Sequence, residues 1–431
     1  MLIKFTVKNF LSFKNSAYLD MEAGSIREHS KSLINTKLGT QDLKLVRNAV
    51  VFGANSAGKS NFFKGFYILK QLIKYSFDET FFESGLPAHS FILNEETVDQ
   101  PTEFEASFII DHTYFRYSLI FDKEKIFKES LFSISKRKEE MLFLRHDEDF
   151  MIGKHLEVQT KGEIKFLQKV AKPKILFLSV LLKFNVETAV KIATWFDKIR
   201  VYTDQHIEEN LNLTAELFND PEYKPLIYEI IKASDLGFLT IEQELEKRIE
   251  KQKQNALLLH ALYEDQPDQF IIRTKHHQYT KNYASSRIIY FDIRANESAG
   301  AQKFISILGP LVKALRDGSI IWIDELDSRL HTHLVQLIIE IVNSPKYNFN
   351  NGQAIFSSHD THLFKKLRRD QQILINKNEY GESSIESIYE GKPHVRADAL
   401  IDKEYLNNQL GGVPKINMQF FLDFDNDAEN P

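Results

Sequence analysis

Gly53-Ala54-Asn55-Ser56-Ala57-Gly58-Lys59-Ser60 sets two glycines, a lysine and a hydroxyl residue at the spacing G-x-x-x-x-G-K-[ST], and Asn61 follows. Chemistry at this spacing is phosphate binding. Glycines let the backbone approach an anion, and the N–H groups of the loop and of the helix that follows point at a β-phosphate. Lys59 adds a point charge between the β- and γ-phosphates, and the Ser60 hydroxyl is placed to ligand Mg²⁺. The flanks fit that use. Residues 49–52 (AVVF) read as a buried strand, and residues 61–69 read as a helix with one apolar face. The order strand, glycine-bounded loop and helix predicts a nucleotide-binding protein.

Three further stretches complete such a site. Ser319-Ile-Ile-Trp-Ile-Asp324-Glu325 is an apolar strand ending in two acids. A buried parallel strand delivers its last side chains to the carboxyl edge of its sheet, where ligands bind. Asp324 is thereby expected to hold Mg²⁺, directly or through water, and Glu325 to polarise an attacking water. Gln353 begins a second apolar strand that ends in Ser358-His359-Asp360, and His359 is a candidate γ-phosphate contact through its ring N–H. Upstream, Ser298 and Gly300 in Glu297-Ser-Ala-Gly-Ala-Gln302 open an amphipathic helix, a second anion-binding N-terminus. One loop of P-loop type and two such termini suggest that Ser298 and Gly300 complete the ATP site of another copy, head to tail. His331 and His333 follow Asp327 without a third ligand and read as surface polar residues.

The elements around these residues divide in three. Residues 2–21 alternate as two strands and are expected to form a hairpin over the nucleotide sheet, followed by a polar loop over 23–46. Residues 102–110, 114–121 and 126–135 alternate aromatic and polar residues as antiparallel strands. The pattern turns helical from about 162 to 198, over 222–234 and over 241–262, and strands return at 269–274 and 287–291. The expected division is a first half of the nucleotide domain over 1–140, a helical insertion over 141–268 and a second half over 269–431.

Composition narrows the class. With 431 residues, 43% hydrophobic and 27% charged, the chain is long for one core and ordinary for a globular protein. A net charge of −5 argues against a wholly basic nucleic-acid coat, and the absence of cysteine excludes disulfides and thiolate metal sites. No stretch has the apolar length of a membrane span and residues 1–7 lack a signal-peptide core, so a cytoplasmic protein without a membrane partner is expected.

In this order the motifs resemble the ABC-type ATPase heads of the SMC and RecF branch. GANSAGKS corresponds to their Walker A, ESAGAQ to the signature, IIWIDELD to Walker B with its catalytic glutamate, DSRL to the D-loop and FSSHD to the switch histidine. Ala301 stands where the wider class has a second glycine, Gln100 lies in a polar turn and no residue stands out as the Q-loop glutamine. The insertion is short beside a true SMC coiled coil. MLIKFTVKNFLSF, IDELDSRLH, SSHDTHLF, LRRDQ and KEYLNNQLGGVP resemble the small SMC-like ATPases of bacterial phage defence, the RloA/AbiL type and the related PARIS ATPase AriA.

That resemblance implies an α/β fold, a mixed sheet with an antiparallel β-subdomain and a helical insertion. It implies a slow ATPase that uses ATP and Mg²⁺, assembles as a dimer or larger ring, and serves as sensor or scaffold in an abortive-infection or toxin–antitoxin system. Its expected partners are itself, a separate effector nuclease or toxin, and a phage protein as trigger. The alternative is a RecF-like repair ATPase, for which residues 136–138, 273–281 and Arg368-Arg369 would supply a basic track for DNA. The acidic residues 423–427 read as a solvated end.

Overall fold

The computed structural model describes residues 1–38, 41–78, 80–134, 138–158, 160–245, 270–390, 401–407 and 410–413. Its centre is a six-stranded sheet in the order Arg200–Tyr202, Ile320–Ile323, Gln353–Ser357, Asn48–Phe52, Gln372–Lys377, Ser383–Ser387. The first five strands are parallel, and Ser383–Ser387 closes the edge antiparallel. Both faces are buried, which explains the unbroken apolar runs. Side chains nevertheless alternate between two cores. Ala49, Val51, Ile320, Trp322, Ile355, Ile373 and Ile375 enter one; Val50, Phe52, Ile321, Ile323, Phe356 and Leu374 enter the other.

The first core lies between this sheet and a seven-stranded antiparallel sheet, ordered Asp149–Ile152, Glu140–His146, Ile126–Ile134, Thr113–Phe121, Thr102–Ile110, Leu2–Lys8, Ala17–Asp20. The P-loop helix Lys59–Tyr75 contributes Phe62, Phe63 and Phe66 to it. Trp322 stacks on Phe66 at 4.6 Å, and Phe5 meets Phe66 edge-on at 5.1 Å. Such pairs add about 0.5–1.5 kcal/mol each beyond area burial, so the helix that carries Lys59 is anchored from both sheets. The fully buried Gln353 joins the sheets: its amide oxygen accepts from the Leu2 N–H at 2.6 Å and its Nε2 donates to the Leu2 carbonyl at 3.1 Å.

The second core is helical. Ala299–Asp317, Ile207–Asn219, Lys224–Ala233 and Thr332–Asn343 pack there on the opposite face of the central sheet. The middle block of the chain is thus shared out: Lys161–Val170, Phe177–Lys183 and Glu187–Lys198 serve the first core, and the helices of 207–233 serve the second. The expected boundary at 140 falls inside the antiparallel sheet, which continues through Glu140–His146 to Ile152.

Two local expectations are corrected. Residues 23–46 are not simply loop: Leu33–Leu38 pairs antiparallel with Gln41–Val46, because Ile34, Leu43 and Leu45 join Ile3 and Ile109 in a small core of their own. The expected helix over 241–262 begins as a strand, Thr240–Leu245, paired with Phe270–Tyr279. Ile241 enters the second core there while Glu242 beside it is exposed, and the long charge run hides that alternation. Residues 246–262, 136–137 and the acidic 423–427 lie outside the described residues.

Candidate functional site

Register brings the predicted site residues to one edge. Val51 pairs with Ser357 and Phe356 pairs with Ile323, so the chain leaves three adjacent strands at Gly53, Ser358 and Asp324 on the same carboxyl edge.

The P-loop wraps the start of its helix. Asn55, Ser56 and Ser60 are exposed, Ala54 and Asn61 half-buried, and Ala57, Gly58 and Lys59 buried. The Lys59 ammonium donates to the carbonyls of Gly53 at 2.8 Å and Ala54 at 3.1 Å. Burial lowers its pKa, and the carboxylates of Asp324, Glu325 and Asp327 act against that shift. Gly58 has φ of 117°, and a Cβ there would lie 2.6 Å from Ser383 Oγ and 2.7 Å from Ser12 Oγ. Those two serines brace the loop: Ser383 Oγ donates to the Ala57 carbonyl at 2.6 Å, and Asn61 Nδ2 donates to Ser12 Oγ at 2.9 Å. The Lys377 ammonium reaches the Ser56 carbonyl at 3.3 Å. Sequence reading missed all three supports because they come from distant strands and loops. The residues NFLSF near the start, Lys377 and GESS at 381–384 carry them.

The acidic turn is over-determined. Ser357 Oγ donates to Asp324 Oδ1 at 2.5 Å and accepts from the Glu325 N–H at 2.7 Å. Glu325 adopts φ of 50°, a conformation that costs a non-glycine residue about 1–2 kcal/mol. Lys303, with no exposed side-chain surface, donates to the Glu325 carbonyl at 2.6 Å and pairs with Asp204 at 3.0 Å. A buried lysine one turn into an otherwise apolar helix face was the available signal for this support. Asp324 is half-buried and Glu325 is exposed at the sheet edge. The backbone N–H of His359 donates to Asp327 Oδ2 at 3.1 Å. Burial lowers the imidazole pKa, Lys59 lowers it further, and Asp327, Glu325 and Asp324 oppose both. Lys59, Asp324, Glu325, Asp327 and His359 therefore lie within one another's fields.

These residues suit Mg-ATP. Asp327 Oδ1 and Asp360 Oδ2 are buried without a hydrogen-bond partner, a buried ammonium faces three carboxylates, and an exposed hydroxyl opens the P-loop helix. Among the described residues no cluster of three or more His, Cys, Asp or Glu side chains would hold a metal ion alone. Ser60 and Asp324 would therefore share Mg²⁺ with phosphate oxygens and water, the usual arrangement for that ion. When bound, the ion would neutralise phosphate charge.

Ser298 and Gly300 lie at the start of a helix. Ser298 caps the helix Ala299–Asp317, its Oγ accepting from the Ala301 N–H at 3.1 Å. It is exposed. A Cβ on Gly300 would lie 2.6 Å from the Arg329 carbonyl, so the helix start is pressed against the turn that follows Asp327. Two other candidates are structural. His331 caps the helix Thr332–Asn343, its Nδ1 accepting from the His333 N–H at 3.2 Å. Arg368 is fully buried and leaves any basic track. Among the described residues no helix is long and apolar enough to cross a membrane.

A solved SMC head domain from Thermotoga maritima is similar at 13% identity and a TM-score of 0.39, over 90% of this chain and 98% of that one. No curated protein matches. A family model described as "AAA domain, putative AbiEii toxin, Type IV TA system" matches residues 49–365, a span that runs from the P-loop strand past His359. That span takes in more than half of the sequence and the site residues from Gly53 to Asp360, and the chain belongs to this family of AAA domains.

Proposed function

We propose that this protein is an SMC-like ATPase whose ATP-dependent assembly serves as sensor and scaffold in an anti-phage, abortive-infection system. In this reading it governs a separate effector nuclease or toxin. One observation carries it: a chain with a nucleotide-binding edge also has an exposed, serine-capped helix start, Ser298 to Gly300. Two copies arranged head to tail would place each Ser298 terminus on the other copy's γ-phosphate. ATP would then hold the copies together, and hydrolysis, or a phage protein, would change the assembly and free the partner. The family's toxin–antitoxin description supports pairing with an effector.

Within each site Lys59, with the N–H groups of residues 53–61, binds and orients the phosphates, while Ser60 and Asp324 share Mg²⁺. Glu325 takes the proton of the attacking water, and His359 donates its ring N–H to the γ-phosphate. A lowered pKa keeps His359 neutral at pH 7 and leaves its protonation to lower pH. Any step of kcat/KM against pH that His359 sets is accordingly expected below the ordinary histidine value of about 6.5 and should be absent in His359→Gln.

The assembly is tested by light scattering and by mixing. Mg-ATP should raise the solution mass of the wild type. Lys59→Ala and Ser298→Arg should each turn over at less than roughly a hundredth of wild type. An equimolar mixture should recover about a quarter of the activity, since half the random dimers then hold one intact site of two. A mixture as inactive as its components would overturn the shared site. A RecF-like role on DNA is the second reading, and the exposed basic hairpin of residues 270–292 favours it.

A further inference from the structure

The strands Phe270–Tyr279 and Ser285–Asp292 form a hairpin that leads directly into the Ser298 helix. Its outer part projects from the body, and every residue from 277 to 288 is exposed. Tyr279 is 59% exposed, Tyr283 87% and Tyr290 45%. Aromatic rings on a ribbon solvated on both faces add little to a core, so folding does not explain them. The charge pattern is one-sided. Residues 271–291 hold Arg273, Lys275, Lys281, Arg287 and two histidines, and no acid, in a chain with 60 Asp and Glu residues and a net charge of −5.

Pairing sorts these groups. Lys275 lies opposite Tyr290 and His277 opposite Ile288, so Lys275, His277, Tyr279, Ile288 and Tyr290 share a face. Lys275 is tied at the base to Glu242 at 3.0 Å and lies 5.6 Å over the Tyr290 ring, whereas Lys281 and Tyr283 stand in the turn and Arg287, on the opposite face, donates to the neutral Gln278. Cations beside exposed aromatic rings match unpaired bases on a phosphate backbone, because stacking needs base faces that a duplex hides.

We propose that this hairpin binds single-stranded nucleic acid, with phosphates on Lys281 and Arg287 and bases stacked on Tyr279, Tyr283 and Tyr290. The inference does not rest on the ATPase reading. The probe is a fluorescein-labelled oligothymidylate, titrated with the full-length protein by anisotropy across a salt series. Binding is expected with a log–log salt slope of about −1.4 to −2.8, the range for two to four phosphate contacts on a single strand. Lys281→Glu with Arg287→Glu should weaken it at least about tenfold and flatten that slope by about 1.4. Tyr279→Ala with Tyr283→Ala should weaken it at least about fivefold and leave the slope unchanged. All four positions are exposed, so mass and Mg-ATP binding should be unaltered and separate this test from that of the ATP site. No binding, equal competition by duplex, or affinity indifferent to both double variants would overturn the proposal. A loss of ATP-dependent mass with unchanged oligothymidylate affinity would overturn it too, and would assign the hairpin to self-association.

Discussion

Glu325→Gln is expected to lower ATP turnover roughly 10²–10³-fold while leaving Mg-ATP affinity within about threefold. The substitution keeps the shape of the side chain and removes its charge and basicity. It leaves the backbone turn intact, because the groups that hold it act on main-chain atoms: Ser357 Oγ on the Glu325 N–H and the Lys303 ammonium on the Glu325 carbonyl. The P-loop contacts of Lys59 are likewise untouched. A group that only bound nucleotide would shift KM and spare kcat, whereas a base acting on water shifts kcat alone. The variant should also accumulate as the ATP-bound assembly, with a larger mass in Mg-ATP that persists for hours. Normal hydrolysis by Glu325→Gln would remove Glu325 from the chemistry and point to Asp327, whose Oδ1 has no hydrogen-bond partner.

The parts of this site that were legible in the sequence are those that a few consecutive residues define. The phosphate loop, the strand ending at Asp324 and the strand ending before His359 each encode their own geometry, and parallel register aligns them without further information. What holds them in place was not legible, because it is made at long range. Ser12 and Ser383 meet at Gly58 from opposite ends of the chain, and Lys303 crosses from the Ser298 helix to the acidic turn. A serine or a lysine carries no mark of such a contact. The same limit applies to the fold. Apolar alternation exposed the antiparallel strands, but the ladder over residues 33–46 and the strand at 240–245 carry enough charge to resemble a loop and a helix. The helices within 162–198 and 222–234 were visible as helices and Ile207–Asn219 was not, and their division between two cores depends on which sheet face each one meets.

Arg368 shows the same limit in a single residue: beside Arg369 it reads as surface charge, yet Arg368→Leu is expected to cost about 3–5 kcal/mol. Each of its five N–H groups has an acceptor. Nε and one NH2 hydrogen go to Asp370 at 2.9 and 2.7 Å, NH1 serves the carbonyls of Ile26 and Glu28 at 3.0 and 2.7 Å, and NH2 also reaches Gly24 at 3.2 Å. Leucine would leave the buried Asp370 carboxylate with the Gly24 N–H at 2.8 Å but no charged donor, and would strip the Ile26 and Glu28 carbonyls of their guanidinium partner. Arg368→Lys keeps the charge but cannot reproduce the planar fork, so it should lose about 2 kcal/mol or more. Arg368→Leu with Asp370→Leu removes both charges and should recover part of the loss. A urea transition reads all three, and equal midpoints for Arg368→Leu and wild type would refute the assignment. The damage should reach the nucleotide edge as well. Next to Asp370, Gln371 Nε2 donates to the Asn48 carbonyl at 3.1 Å and to its Oδ1 at 3.0 Å, at the root of the P-loop strand. Weaker Mg-ATP binding should therefore accompany the lower midpoint in Arg368→Leu, although the residue stands outside the phosphate site.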